Sequence, residues 1–478
     1  MKGFPKLCVL ALFVSVLCSC HDEDKFTSSP SATLSFSVDT VKFDTVFTSI
    51  GSTTRQFRVY NRNKDAVRTS VSMNGDFYRL NIDGVAANSF DNLEIRGNDS
   101  AFIFVEVTID PQNTNSPLLV LDSIEFNTNG NRQNVMLMAY GQNVNLINDS
   151  LLTADTRWTS EKPYLIYNSV MVDSLCTLDI DAGSKLYFHN NSSLFVKGQL
   201  HINGTAEEPV VLQGDRFDDY YSDKPGLWGA TYMINGDLYY YGNIHILNGS
   251  VGNTIDHAII KNGIKGIQAD FHTDEKLTLT LSNTIIKNMS ISGIYAQNAN
   301  MLVYNTVVSN CGYYAAVLSL GGNYEFVHTT LANYAPSHSM PSLLFNNYHV
   351  DSEQYVHTYD FSAIFANSIV YGSLPSEFRI DVATGAQFDF QFDNCLLKAN
   401  QNDKSVDWND TSVFNNVLVG DSALPRFVNV AEGDFHLDTL SAAKDKGGSY
   451  YLEFFPLDLD GNMRDSNPDL GAYERIEK

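Results

Sequence analysis

The sequence predicts an all-β chain, with an immunoglobulin-like β-sandwich followed by a right-handed parallel β-helix. Three observations lead to this fold class: short alternating strands in the first part, a recurring eight-residue phrase in the second, and a length of 478 residues. One hydrophobic core rarely serves so long a chain, whereas a repeat architecture extends its core lengthwise. The predicted segments are a signal peptide (1–19), a tether (20–32), the sandwich (33–145) and the β-helix with a C-terminal closing motif (150–475).

The N-terminal segment has the features of a lipoprotein signal peptide. Lys2 and Lys6 precede an apolar run, residues 8–17, that is too short to span a bilayer as a permanent helix. The run ends in Leu17-Cys18-Ser19-Cys20, which resembles a lipobox, and the resemblance implies that Cys20 carries lipid. An ordinary signal peptide with a nearby cysteine is the alternative.

An acidic cluster, residues 21–25, follows the lipobox-like sequence. It is similar to the surface-export signal of lipoproteins from the Bacteroides group, and its alternative interpretation is a solvated tether. We therefore expect an outer-membrane lipoprotein that is exposed on the cell surface.

The charge balance restricts the partners of the chain. It has 31 basic and 55 acidic residues, a net charge of −24, and loss of Lys2 and Lys6 with the signal peptide makes the charge −26. Such a surface repels nucleic acid and anionic lipid, so we expect membrane contact only through lipid on Cys20. The other mature cysteines lack metal-ligand spacing, and we expect them to be small apolar fillers: Cys176, Cys311 and Cys395.

The first part of the chain has the pattern of a β-sandwich. Runs of alternating apolar residues are separated by turns rich in Asn, Gly and Asp, at 34–38, 56–60, 102–107 and 135–139. The strand order resembles bacterial immunoglobulin-like domains of the centrosome-and-flagellum-associated type, through matches at Val59-Tyr60-Asn61, 99–111 and 139–143. The resemblance implies a spacer or adhesive module, and we identify no site in it.

The second part contains six copies of one phrase: apolar, any, Asn or His, small, apolar, apolar, any, Asn or Gly. The copies begin at Ile255, Leu281, Val303, Phe326, Phe365 and Phe392. Their starts are 26, 22, 23, 39 and 27 residues apart, and most of these intervals suit three short strands with three bends. The 39-residue interval predicts one inserted loop within 334–360.

The phrase also predicts where its polar residues lie. Coils of parallel strands stack about 4.8 Å apart, so equivalent side chains lie directly above one another. Inward amides at a bend would then form a hydrogen-bonded ladder, because each amide both donates and accepts. The expected ladder is Asn283, Asn305, Asn367 and Asn394, with His257 and His328 substituting. The last phrase position suits the next bend, where Asn tolerates left-handed dihedrals: Asn262, Asn288, Asn310 and Asn333.

Two further segments carry a family resemblance. Residues 198–212 and Gly226-Leu227-Trp228-Gly229 resemble coils of secreted β-helices. Residues 456–464 and 468–474 resemble the closing element of bacterial β-helix lipoproteins called choice-of-anchor Q, and the likeness covers about 151–474. It implies a β-helix in a surface setting, and that family's activity is not generally defined.

Asp458, Asp460 and Asp465 are a candidate metal site. Oxygen ligands at alternate positions before Gly461 are typical of a calcium loop, so calcium is the one cofactor that the sequence suggests. We favour a cap in which Arg464 pairs with a neighbouring Asp and covers the last strand edges.

The acids Asp215, Asp218, Asp219 and Asp223 are a candidate catalytic group. Polysaccharide lyases and hydrolases on β-helices place acids and a basic residue on a side wall. These four share one segment instead of equivalent positions on neighbouring coils, so we favour a solvated loop.

A third candidate site consists of aromatic rings. Exposed rings in a row would stack on sugar faces, and inward packing of half of them is the alternative. The residues fall in what we interpret as consecutive coil segments: Trp228, Tyr232, Tyr239, Tyr240 and Tyr241.

The sequence favours a non-catalytic surface module that binds a polysaccharide or a surface protein. The alternative is a polysaccharide lyase or glycoside hydrolase acting on a β-helix side wall. Fold alone does not choose between them.

Overall fold

The computed structural model describes residues 24–476, except 49, 53, 111–117, 219, 235–236, 273–274, 403–405 and 421–422. The signal peptide, Cys20 and residues 21–23 of the acidic cluster lie outside the described residues. The chain divides into two compact units, residues up to Asn143 and residues from Val144 onward. Within the described part, no helix combines the length and the apolar character needed to cross a membrane.

The first unit is a β-sandwich of two five-stranded sheets. Its strands are β1 (Leu34–Phe36), β2 (Thr40–Phe47), β3 (Arg55–Asn61), β4 (Val67–Ser72), β5 (Tyr78–Ile82), β6 (Val85–Ala86), β7 (Ser89–Ile95), β8 (Ser100–Val107), β9 (Leu118–Thr128) and β10 (Asn131–Gln142). One sheet has the order β1-β3-β8-β5-β6 and the other β2-β10-β9-β4-β7. Alternate residues such as Val59 and Ile103 are fully buried between the sheets. The buried Tyr78 hydroxyl links the sheets by donating to the Val120 carbonyl at 2.9 Å.

The predicted tether is shorter than expected. Phe26 forms a parallel bridge with Ala66, and the Arg68 guanidinium lies 4.1 Å from the centre of the Phe26 ring. Ala32 is part of the sandwich core. Residues from about Lys25 onward therefore belong to the sandwich.

The second unit is a parallel β-helix whose 26 described strands wind around three faces, named A, B and C here. Face A consists of the first halves of β11 (Asn145–Leu152) and β13 (Tyr164–Val172), then β15 (Lys185–Phe188), β18 (Val210–Gly214), β23 (Ala258–Lys261), β26 (Ile285–Lys287), β28 (Val307–Ser309), β30 (Thr330–Asn333), β35 (Ile369–Gly372), β38 (Leu396–Leu397) and β40 (Leu418–Val419). Face B consists of the second halves of β11 and β13, then β16 (Leu194–Val196), β21 (Ile244–Ile246), β24 (Lys265–Ala269), the first parts of β27 (Ser292–Tyr304) and β29 (Tyr314–Val327), β31 (Leu343–Asn346) and β36 (Phe378–Asp381). Face C consists of β12 (Thr156–Trp158), β14 (Thr177–Asp181), β17 (Gln199–Asn203), β22 (Asn253–Asp256), β25 (Leu279–Ser282), the last parts of β27 and β29, β34 (Phe361–Ala366), β37 (Phe388–Asp393) and β39 (Phe414–Asn415).

The six phrase starts stack on one another on face C, which confirms the predicted repeat. Ile255 pairs with Leu281, Leu281 with Val303 and Val303 with Phe326. The stack continues through Phe365 and Phe392 to Phe414, which the sequence pattern did not include. These side chains point inward, and the rings of Phe326 and Phe365 stack with their centres 4.6 Å apart.

The bend between faces C and A is left-handed, with φ between 45° and 49° at His257, Asn283, Asn305, His328, Asn367 and Asn394. The sequence predicted this conformation at the next bend, between faces A and B. The prediction is confirmed at Asn262, Asn288 and Asn310, with φ of 53° to 65°, and it is wrong at Asn333, which ends β30 without a positive φ. The predicted ladder forms in pairs instead of continuously. Asn305 Nδ2 donates to Asn283 Oδ1 at 3.1 Å, and Asn367 Nδ2 lies 3.2 Å from His328 Nε2. Between these pairs, Arg464 Nη2 donates to Asn305 Oδ1 at 3.0 Å and interrupts the ladder.

The C-terminal segment, residues 423–476, contains β41 (Phe427–Asn429), β42 (Asp434–Leu437) and a 3-10 helix, η1 (Ser449–Glu453). It covers the outer surface of face A: Leu470 packs with Ile369, and Phe435 packs with Val307. The prediction that this segment covers the last strand edges is therefore wrong, because the segment covers the side of the helix along face A. Arg464 is buried in the segment, and its ion pair is with Glu474, at 3.5 Å, instead of with a neighbouring Asp. The carboxylate of Asp458 accepts hydrogen bonds from backbone N–H groups of the segment instead.

The coils carry excursions outside the three faces. One antiparallel hairpin is β19 (Thr231–Ile234) with β20 (Asp237–Tyr240), and another is β32 (Tyr348–Val350) with β33 (Val356–Thr358). The 39-residue interval contains two excursions instead of the single predicted loop: residues 334–342 leave the helix between β30 and β31, and the second hairpin leaves it between β31 and β34.

Candidate functional site

The outer surface of face C carries a groove, which we call the face C groove. Its floor is formed by two outward columns on successive coils, Asn300, Asn323, Ser362 and Asp389 in one, and Leu302, Glu325, Ile364 and Gln391 in the other. Three adjoining depressions share these residues, and the first has a volume of about 580 Å³. The groove therefore follows the helix axis across several coils.

The repeat produces this floor. Side chains on a strand alternate between its two sides, so residues one and three positions before each buried phrase start must face outward. Val303 and Phe326 are buried, and Asn300 and Asn323 stand three positions before them. Pairing in register then aligns the outward residues into columns.

Hydrogen bonds hold the amides of the floor. Asn323 Nδ2 donates to Asn300 Oδ1 at 2.9 Å, and Asn300 Nδ2 donates to the Lys276 carbonyl at 3.3 Å. The Asn300 backbone N–H donates to Thr278 Oγ1 at 3.2 Å. Asn300 is buried and Asn323 is exposed, so a fixed amide supports an accessible one.

One wall of the groove is formed by the segment after β24 and by the end of the second hairpin. The His272 ring donates from Nδ1 to the Asn298 carbonyl at 2.8 Å, which fixes its orientation above the floor. Phe271 packs edge-on against Tyr359, with ring centres 6.1 Å apart. Asp360 Oδ1 accepts from the Gln387 backbone N–H at 2.9 Å.

On the side of Tyr304, the floor is bordered by an aromatic segment, η1 and the residues after it, which we call the aromatic wall. Phe455 stacks on Tyr304 of face C with ring centres 4.2 Å apart, which anchors the wall to the coil. The Tyr451 hydroxyl interacts with Glu325 in the floor, and burial, together with the nearby Glu325 charge, raises the pKa of Tyr451. Tyr450 and Phe454 remain 71% and 58% exposed. These two rings are accessible and pack against Tyr451 and Phe455, the residues that contact face C.

The groove is acidic. Glu275, Glu325, Asp360 and Asp389 line it, together with amide and hydroxyl side chains. None of the described residues that line its three depressions is Lys or Arg. Anions in the groove would therefore meet carboxylates without a compensating Lys or Arg from the described lining.

The prediction that Trp228 is an exposed stacking ring is wrong. Trp228 is fully buried, it stacks on Phe188 with ring centres 4.1 Å apart, and its Nε1–H donates to the Lys261 carbonyl at 2.9 Å. The indole fills the core because an inward aromatic position is available there and its one polar atom has an acceptor.

The predicted tyrosines lie on one hairpin instead of on consecutive coils. Tyr232 and Tyr239 are cross-strand partners in β19 and β20, and both are exposed, as is Tyr240. Tyr241 is half-buried and packs against His245, with ring centres 5.6 Å apart. Three of the rings are accessible, so their role in ligand binding stays a prediction.

The acids of residues 215–223 have separate partners. Asp215 pairs with His189 at 2.7 Å, and Asp218 pairs with Arg216 at 3.0 Å. Asp223 is exposed, and Asp219 lies outside the described residues. The segment docks on the bend between faces A and B, where Asn262 and Asn288 donate to backbone carbonyls of residues 222 and 223. The structure thus assigns the described acids to a folded loop and does not assemble a catalytic group from them.

The calcium candidates are also not brought together. Among the described residues, no group of three or more His, Cys, Asp or Glu side chains is placed to hold a metal ion. Asp458 accepts hydrogen bonds from the backbone N–H groups of Asp460, Asn462 and Glu474, at 2.7 to 3.0 Å. Asp465 accepts one from Asn467. These carboxylates shape the turns of the C-terminal segment.

The described cysteines are free, and Cys311 and Cys395 are buried in the helix, where burial raises the pKa of each thiol to about 12. Such thiols behave as small apolar groups. This agrees with the prediction that they fill space.

No protein-family model and no curated protein matches the chain. Among solved structures, it is similar to the ASH / PapD-like domain of human CEP192, over 26% of this chain and 94% of that domain, with 10% identity and a TM-score of 0.18. It is also similar to the catalytic domain of a GH87 alpha-1,3-glucanase in complex with tetrasaccharides, over 71% of this chain and 80% of that one, with 8% identity and a TM-score of 0.19. A family 123 glycoside hydrolase from Clostridium perfringens matches over 25% of this chain and 30% of its own, with 13% identity and a TM-score of 0.19. Scores this low carry no argument about function.

Proposed function

We propose that the chain is a cell-surface lipoprotein whose β-helix binds a glycan along the face C groove. The observation that carries the proposal is the supported amide pair Asn300–Asn323 in a floor that Tyr451 contacts through Glu325. The exposed rings of Tyr450 and Phe454 belong to the same aromatic segment as Tyr451. Directed amides and accessible rings are the groups with which proteins hold the hydroxyls and the apolar faces of a ligand. Binding is the proposed role, without chemistry on the ligand.

The membrane part of the proposal rests on the sequence. Lipid on Cys20 would anchor the chain to the outer membrane, and the acidic cluster after it would direct the chain to the surface, as in Bacteroides-type β-helix lipoproteins of the choice-of-anchor Q kind. Exchange of Cys20 for Ser should move the protein from the membrane fraction to the soluble fraction. Retention in the membrane fraction would contradict the anchor.

A glycan panel against protein lacking residues 1–23 tests the groove. The groove variant combines Asn323→Ala with Phe454→Ala, and the matched control combines Tyr239→Ala with Tyr240→Ala on the exposed hairpin. We expect the groove variant to bind at least tenfold more weakly, because a lost hydrogen bond and a lost stacking contact cost about 1 kcal/mol each. We expect the control to bind like the parent, as measured by titration calorimetry.

Three results would change the proposal. Loss of binding in the hairpin variant alone would move the site to Tyr239 and Tyr240, as the sequence first suggested. Absence of glycan binding would leave a protein partner as the ligand of the surface. Release of unsaturated or reducing ends would make the chain a lyase or a hydrolase.

The hydrolase alternative would have to use carboxylates of the groove floor. Glu325 and Asp389 lie two coils apart, about 9.6 Å along the axis, and they also stand in different columns, so their backbones are farther apart than that. This backbone spacing does not by itself match the carboxylate separation of about 6.5–9.5 Å in inverting glycosidases. Exchange of each for the corresponding amide should abolish any cleavage. If the groove only binds its ligand, the same exchange should instead reduce its discrimination against anionic probes.

A further inference from the structure

We infer that the face C groove selects glycan chains that carry no carboxylate or sulfate groups. The inference rests on the proposed function, since it names the ligand class of the same groove. It starts from the four carboxylates of the lining, Glu275, Glu325, Asp360 and Asp389, which stand on the floor and on one wall.

The acids are distributed along the groove instead of being gathered at one end. Glu325 lies on the coil after Asn300, and Asp389 lies two coils further along the axis. Glu275 and Asp360 belong to the wall that contains His272. A chain laid along the floor therefore passes a carboxylate on successive parts of its length.

No Lys or Arg among the described lining residues offsets these charges. Proteins recognise carboxylates and sulfates with Arg and Lys, whose N–H groups supply charge-assisted hydrogen bonds. The described lining has neither residue type. Lys276, next to Glu275, supports the floor with its carbonyl oxygen, which accepts from Asn300, and its side chain is not part of the described lining.

The groups that are present suit uncharged hydroxyls. An amide donates and accepts, a carboxylate accepts from hydroxyl donors, and Ser362 does both. The columns repeat about every 4.8 Å along the axis, so polar groups meet the ligand at regular intervals. Tyr450 and Phe454 offer apolar faces for sugar rings on the aromatic wall. The groove thus favours a neutral or an amine-bearing chain and disfavours an anionic one.

Matched probes test this selection. Hexasaccharides of glucose, mannose and galactose are compared with the same compounds after oxidation of C6 to a carboxylate, by titration calorimetry against protein lacking residues 1–23. We expect the best neutral probe to bind at least tenfold more tightly than its oxidised form at low salt. The difference should narrow at 0.5 M salt, because ions screen exposed charges.

Variants assign the effect to the groove. Glu325→Gln with Asp389→Asn should reduce the discrimination severalfold, mainly by strengthening binding of the oxidised probe. Glu161→Gln with Glu207→Gln, on exposed bends of early coils, removes the same charge elsewhere and should leave the discrimination unchanged.

The outcomes separate the two proposals. Equal or tighter binding of oxidised probes overturns the inference and leaves glycan binding intact. Discrimination that the groove variant does not alter also overturns it, because the selection would then come from another surface or from net charge. Absence of binding by every probe, neutral or oxidised, counts against the proposed function itself.

Discussion

At the scale of single residues, the bends between faces C and A depend on a backbone conformation that most residues avoid. Residues other than Gly, Asn and Asp adopt positive φ at a cost of about 1–2 kcal/mol. At the six bends of the repeated phrase, the chain places Asn four times and His twice, all with φ between 45° and 49°. The side chains then add contacts: Asn283 Nδ2 donates to Asp256 Oδ1 at 2.8 Å.

Replacement of Asn283 separates the two contributions. Asn283→Gly keeps the backbone conformation and loses the side-chain bonds, whereas Asn283→Ala loses both. We expect Ala to lower the free energy of unfolding by about 1 kcal/mol more than Gly, as measured by urea denaturation. Equal losses would show that hydrogen bonds, and not positive φ, select Asn at this bend.

These bend residues were predictable because six copies of the phrase could be aligned. Asn283 and Asn305 occupy the same position of their copies, so one explanation served both. Trp228 was not predictable in the same way, because its segment has no aligned copy. Whether its ring faces inward depends on Phe188, which the sequence gives no reason to place beside it.

At the scale of elements, the C-terminal segment combines two roles. It covers face A with Leu470 and Phe435, and it supplies the aromatic wall of the face C groove through Phe455. His436 fastens β42 to the rest of the segment. Its ring lies 2.6 Å from Asp434 and 2.8 Å from Asp460, and it stacks on Tyr473.

This histidine predicts a pH dependence. The hydrogen bond to Asp460, with further contributions from Asp434, raises the pKa of His436 to about 9. Protonated His436 stabilises the folded segment because its pKa is higher there than in the unfolded chain, where it is about 6.5. The stabilisation is complete below about pH 6.5 and is lost as the pH rises through about 9. We expect amide hydrogen exchange in β42, corrected for intrinsic rates, to accelerate between pH 7 and pH 10.

His436→Gln supplies the control, because glutamine does not titrate in this range. The variant should exchange faster than the parent at pH 7 and show little further change up to pH 10. The same pH response in both proteins would assign the effect to other groups.

The groove floor was within reach of the sequence, but its walls were not. Aligning the copies puts Asn300, Asn323, Ser362 and Asp389 three positions before successive phrase starts, a polar column that the repeat already contained. The aromatic wall begins at Ser449, after every coil strand, and no local pattern indicates which coil it packs against. That placement depends on tertiary contacts of the segment with Tyr304 and with the outer surface of face A.

At the scale of the whole molecule, the two units have separate hydrophobic cores. Ile103 belongs to the sandwich core and Leu281 to the helix core. The predicted boundary between 145 and 150 falls close to the division after Asn143. It was predictable because the strand pattern changes from alternating runs with polar turns to the repeated phrase.

Separate cores predict separate unfolding transitions. In calorimetry of protein lacking residues 1–23, Ile103→Ala should lower the midpoint temperature of only one unfolding transition, and Leu281→Ala that of only the other. Each substitution should reduce the free energy of unfolding of its unit by about 2–5 kcal/mol. The parent sets the positions of both transitions. A shift of both transitions by either variant would show that the units unfold as one.

The chain order of the groove has a consequence for synthesis. The last coil strand ends at Val419, and the ring that anchors the aromatic wall, Phe455, comes 36 residues later. A ribosome therefore completes the floor before it makes the wall, and a chain interrupted or clipped between them keeps its coils without a finished groove. Ligand binding would in that case report that a molecule had been translated through its C-terminal segment and had not lost it.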